Sequence, residues 1–145
     1  GSCFGGIFRG LVAYMAAREQ KKKKKKQMEK ENSNKLMNII KSLKSEIEHN
    51  LKLFKLISTN NDKESYCDCL ESIIWGEIRF NIANDLNEKL YNMLNEHFRE
   101  CEDLKSRTLP KYKDISAINF DLRIVTTQKL IAELDEILKG LTKYR

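Results

Sequence analysis

The sequence predicts an all-α protein: an antiparallel bundle of about four helices, with an N-terminal extension that is first apolar and then polybasic. Three observations lead there. Between Leu11 and Trp75 there is neither glycine nor proline, and the 145 residues hold only six glycines and one proline, so little interrupts a helix. From Leu36 onward apolar residues return at spacings of three and four. No stretch alternates apolar and polar residues as a half-buried strand does, although residues 123–127 are locally β-prone. With 41% hydrophobic and 33% charged residues the composition is globular, and the length suits one domain with a modest core.

The extension covers residues 1–32. Its first part, CFGGIFRGLVAYMAA at residues 3–17, is apolar apart from Arg9. As a helix it spans roughly 22 Å at about 1.5 Å per residue, short of the ~30 Å hydrocarbon core of a bilayer. It is expected to be the cytoplasmic end of a membrane span or an anchor lying in the membrane plane. Residues 20–35 are polar and contain Lys21 to Lys26. Lysine favours helix, and like charges one turn apart cost only a few tenths of a kcal/mol. Helix and solvated tether both remain open for this stretch.

The bundle is expected over residues 33–145. Leu36, Ile39, Ile40, Leu43, Ile47, Leu51 and Phe54 mark a first helix to about Leu56, with Ser33 or Asn34 as its N-cap. Ser58 to Asp62 reads as a turn. A second helix is expected over residues 63–80, with Tyr66, Leu70, Ile73, Ile74 and Ile78 inward, Trp75 beside them and Gly76 loosening the middle. Asp85, with Glu88 three positions on, resembles a capping box for a third helix. Leu86, Leu90, Met93, Leu94, His97, Cys101 and Leu104 line one of its faces, and Pro110 closes the region. A fourth helix is expected from Asp114 or Ser116, burying Ile118, Leu122, Val125, Leu130, Leu134, Ile137, Leu138 and Leu141.

The formal charge of +6 is concentrated. Residues 18–30 hold eight basic and two acidic residues, whereas residues 31–145 hold 18 basic and 19 acidic. The basic pI therefore describes the extension, not a basic face on the body. No secretory signal in the usual order is present, because the charge follows the apolar run instead of preceding it. Free thiols in a reducing cytoplasm are the simplest reading of Cys3, Cys67, Cys69 and Cys101.

Polybasic residues just beyond an apolar segment follow the positive-inside rule, and each contributes about 1 kcal/mol beside an anionic leaflet. Arg18, Lys21, Lys22, Lys23, Lys24, Lys25 and Lys26 are thus the expected contacts to an anionic membrane surface. The alternative is a helical nucleic-acid-binding module using the same lysines to neutralise phosphates. It lacks interleaved aromatics and any second basic cluster, so nucleic acid is the less favoured partner.

Other constellations have structural readings. Cys67, Cys69, His97 and Cys101 could in principle form a three-Cys, one-His zinc site. A Cys-x-Cys spacing on a helix points its two thiols apart, so burial of Cys101 and His97 on the core face is expected instead. Glu46 and Asn50 share a face one turn apart, next to His49. Such a pair at a bundle seam fixes register or caps a neighbouring loop; a di-metal site would need a second Glu-x-x-His, which is missing. Trp75 is read as core. No catalytic residue, metal or cofactor is expected, and no phosphate loop, nucleophile elbow or metalloprotease motif occurs.

The spacing of EIEHNL at residues 46–51, then Trp75, then NDLNEKLY at residues 84–91 resembles a loose group of uncharacterised prokaryotic membrane-anchored proteins. The resemblance covers roughly residues 36–104. It implies one or two N-terminal membrane helices followed by a small cytosolic helical bundle, and it implies topology without chemistry. The resulting expectation is a non-enzymatic scaffold, regulatory or partner-binding domain at the cytoplasmic face of the cell membrane. An unidentified protein, or a second copy of the chain, would bind its helix faces.

Overall fold

The computed structural model describes the backbone of residues 2–143 and the side chains of residues 9–143. Five α-helices and no strand occur among the described residues. They are α1 (Ser2–Thr59), α2 (Lys63–Asp68), α3 (Ile73–Ile82), α4 (Glu88–Ser106) and α5 (Phe120–Thr142). Two 3-10 turns, Pro110–Tyr112 and Ile115–Ala117, lie between α4 and α5. The all-α bundle expected from the sequence is the observed class.

Cross-helix contacts set the direction of each arm. Phe54 of α1 meets Phe120 of α5, and Lys44 pairs with Asp135 at 2.6 Å, so α5 runs antiparallel to α1. Arg123 with Glu100 and Glu133 with Lys89 set α5 antiparallel to α4 in the same way. Asn50 holds Glu71 and Glu46 holds Ile74, so α2 and α3 together descend along α1. The result is an up-down-up-down bundle in which α1 and α4 are diagonal partners and the second arm is split in two. Two apolar clusters fill it. One is built around Ile40, Ile47, Trp75, Leu94 and Leu134, and the other around Phe54, Ile57, Leu70, Leu104 and Tyr112.

Four boundaries differ from expectation, each for a local reason. The N-cap at Ser33 or Asn34 is absent, because α1 continues through both residues and through the lysines. Starting a helix is the costly step, and the packed half of α1 supplies it, so Lys-, Glu- and Gln-rich residues need only propagate it. The second helix is not continuous over residues 63–80: it stops at Asp68 and restarts at Ile73. Asn87, not Asp85, caps α4 by accepting from the Leu90 N–H at 2.8 Å. Asn119 caps α5, while Asp114 caps only the short turn before it.

Three residues expected inside stand outside. Ile73, Leu122 and Val125 are exposed, whereas Phe120 and Thr127 are buried on α5. Residues 123–127 are helical despite their β-prone composition. Trp75 is 3% exposed, stacks on Phe98 with 5.8 Å between ring centres and tilts against Tyr91.

Candidate functional site

Two features of α1 stand apart from ordinary packing: a polar layer inside the bundle and an unpartnered rod outside it. The polar layer begins with Asn50, fully buried between the two apolar clusters. Its Oδ1 accepts from the Glu71 N–H at 2.8 Å and its Nδ2 donates to the Glu71 carbonyl at 2.8 Å. One amide side chain thus satisfies both backbone groups of one residue, as a neighbouring strand would. The adjoining carbonyls are also taken. Lys105 donates to the Leu70 carbonyl at 3.2 Å, and His49 Nε2 lies 3.1 Å from the Cys69 carbonyl. Glu46 accepts from the Ile74 N–H at 3.3 Å, and so caps α3, whose own N-cap Ser72 makes no side-chain cap bond. The second arm breaks here because α1 and α4 offer this loop the partners that a continuous helix would otherwise provide.

Burial tunes the ionisable members of this layer. Desolvation raises the Glu46 carboxyl above the usual range, opposed by the Ile74 amide, and its Oε1 is buried without a partner. Burial, helped by Arg123, lowers His97 to about 4, so its ring is neutral at physiological pH. Asn50 Nδ2 lies 3.2 Å from His97 Nε2. The Asn50 amide is oriented by Glu71, so Nε2 accepts and the ring proton resides on Nδ1.

His97 Nε2 is also 3.7 Å from Cys101 Sγ. A nucleophilic cysteine needs a lowered pKa, but burial pushes this thiol strongly upward and it stays protonated. Cys67 is raised by burial to about 11. Cys67, Cys69 and Cys101 are free thiols, while the side chain of Cys3 lies outside the described residues. Cys69 is exposed whereas His97 and Cys101 are buried, and no three His, Cys, Asp or Glu side chains converge as metal ligands among the described residues. Beside His97 a cavity of about 40 Å³ opens between α4 and α5, over Phe54, Met93 and Leu130. That volume admits water and not an organic substrate.

The rod is the other feature. Every residue from Arg9 to Asn32 is exposed, and the first fully buried residue among the described side chains of α1 is Met37. Arg18 and Lys21 to Lys26 stand exposed on this helix. At about 100° per residue, six consecutive lysines pass completely around the axis, making a collar and not a face. Just before it, Leu11, Val12, Tyr14 and Met15 are all at least half exposed and lie within about 160° of one another, with Gly10, Ala13, Ala16 and Ala17 completing an uncharged turn around the axis. Residues 3–8 of the apolar segment lie outside the described side chains. No helix among the described residues is long and apolar enough to cross a membrane.

Sequence reasoning placed Glu46 and Asn50 at a seam and anticipated their use as a loop cap. It missed Glu71 and Lys105, which complete the clamp; no local signal marks a residue whose backbone is held from a distance. No protein-family model, curated protein or solved structure matches this chain.

Proposed function

We propose that this chain is a non-enzymatic helical domain tethered to an anionic membrane surface, at the cytoplasmic face of the cell membrane, where its bundle serves as a scaffold, regulatory or partner-binding module. One observation carries the reading. An exposed collar of Arg18 and Lys21 to Lys26 directly follows an exposed apolar stretch of the same helix, while residues 31–145 are close to neutral. Apolar surface that the chain leaves uncovered, bordered by positive charge, suits the boundary between hydrocarbon and anionic headgroups. The bundle would be the working part, offering helix faces to a protein partner or to a second copy.

Flotation of the full chain with phosphatidylcholine vesicles, with and without phosphatidylserine, tests this. Binding should need the anionic lipid and weaken with salt. Replacing Lys21 to Lys26 with glutamine should lower it by at least about 100-fold, allowing for screening of the ~1 kcal/mol per lysine. Equal binding to neutral vesicles, or unchanged binding by the glutamine variant, would overturn the proposal. If the chain ignores vesicles yet binds duplex DNA or RNA with a steep salt dependence, the nucleic-acid alternative replaces it.

A further inference from the structure

We infer that α1 meets the bilayer end-on, with its lysine collar in the headgroup layer, and holds the bundle away from the surface as one rigid body. This rests on the membrane reading above and decides between its two geometries. A helix lying in the membrane plane needs a polar face and an apolar face. Here no single stretch of the helix carries both. Lys21 to Lys26 occupy every direction around the axis, so a flat helix would press some of them towards hydrocarbon and waste others on bulk water. Gly10 to Ala17 likewise carry no charged side chain in any direction, so lying flat would turn the apolar Ala13, Ala16 and Ala17 to water while Leu11, Val12, Tyr14 and Met15, which lie within about 160° of one another, faced the lipid. Both sets match an environment that is the same on all sides of the helix and changes only along its axis. That is the environment of a helix passing through the headgroup layer.

The same helix fixes the distance of the bundle from the membrane. No glycine or proline interrupts α1 after Gly10, and its backbone is helical through Thr59. Roughly 16 Å of axis separates Lys26 from Met37, the first fully buried residue among the described side chains, at about 1.5 Å per residue. That exceeds the Debye length of about 8 Å at physiological salt, so the mixed charges of the bundle hardly sense the leaflet. Trp75, the sole tryptophan, sits level with Glu46, because the neighbouring Ile74 N–H binds that carboxylate. It therefore lies roughly 30 Å along the axis from Lys26.

Both consequences are measurable on the full chain bound to mixed phosphatidylcholine–phosphatidylserine vesicles. Energy transfer from native Trp75 to a headgroup-labelled lipid should be weak. Environment-sensitive labels placed singly at Leu11, Val12, Ala13 and Tyr14, one full turn outside the core, should all be shielded from a water-soluble quencher. Shielding that alternates around the turn, or transfer several-fold stronger than the end-on distance allows, would overturn the end-on geometry while leaving membrane binding intact. Failure of the chain to float with the vesicles would remove the membrane reading, and this inference with it.

Discussion

Replacing Asn50 with alanine removes the centre of the clamp, and the structure fixes what is lost. Two bonds of 2.8 Å to the backbone of Glu71 disappear, as does the 3.2 Å contact to His97 Nε2. Each hydrogen bond contributes about 1 kcal/mol net, and a buried group left without a partner costs about 1–3 kcal/mol. Glu71 is exposed, so water can rehydrate part of its backbone, whereas buried His97 is left with only the weak Cys101 thiol, 3.7 Å from its Nε2. The expected loss is about 2–4 kcal/mol, a large share of the ~5–15 kcal/mol that holds a domain of this size together. Urea unfolding followed by Trp75 emission should show the midpoint falling by about 1–2 M for a typical slope. His49→Ala is the internal control. His49 contacts the same loop through the Cys69 carbonyl but is half-buried and partly hydrated, so its loss should cost no more than about 1 kcal/mol. Equal costs for the two variants, or less than about 1 kcal/mol for Asn50→Ala, would refute the clamp as the reason for the split arm.

Acid should destabilise the bundle through His97. Its folded pKa of about 4 lies below the ordinary 6.5, so the unfolded chain binds more protons between those values, and about 3 kcal/mol of stability is lost as pH falls through that window. Urea titrations at pH 7 and pH 4 measure this, and His97→Gln should flatten the dependence. Glu46 acts with the opposite sign: its raised pKa means that the folded state takes up a proton first on acidification, so Glu46→Gln should make the acid loss steeper. Glu46→Ala removes the cap of α3 and should cost about 1 kcal/mol at neutral pH, read by the same urea curves. Alkylation of the native protein at mildly alkaline pH should modify Cys69 and spare Cys67 and Cys101; peptide mapping that finds Cys67 labelled as fast as Cys69 would contradict its burial.

The sequence discloses the parts of this fold whose cause is local. Most of the α4 stripe was legible, because Leu90, Leu94, His97, Cys101 and Leu104, with Leu86 just before the helix, repeat at helical spacing and are buried, although Met93 on the same stripe is only partly buried and the fully buried Phe98 was missed. The break at residues 69–72 was not legible, because its cause lies in Asn50 and Glu46, more than 20 residues earlier. Nothing in Cys69 to Ser72 is a strong helix breaker. On α5 the apolar residues form two adjacent stripes, and periodicity does not say which one faces inward. Asn119 sets the start, after which Phe120, Thr127, Leu130 and Leu134 take the core and Leu122 and Val125 face water. The exposed collar was legible as charge but not as conformation, since propensity and repulsion nearly balance in the lysine run until the packed half of α1 extends into it.

The clamp also bears on the end-on geometry, because both are built on α1. Glu46 and Asn50 sit between the apolar cluster around Ile40 and Ile47 and the one around Phe54 and Ile57. Two apolar layers alone would tolerate a slip of one helical turn between α1 and its neighbours, as Leu, Ile and Phe exchange places at modest cost. A polar layer between them would not. Slipping by a turn would set Asn50 against apolar side chains and take the amide away from the Glu71 backbone and from His97. The clamp therefore fixes the register of α2, α3 and α4 along α1. Since α1 runs uninterrupted to the lysine collar, fixing that register also fixes how far along the rod the bundle sits. On this argument a variant such as Asn50→Ala alters more than stability: on vesicles it should also broaden the distribution of distances between Trp75 and the headgroups.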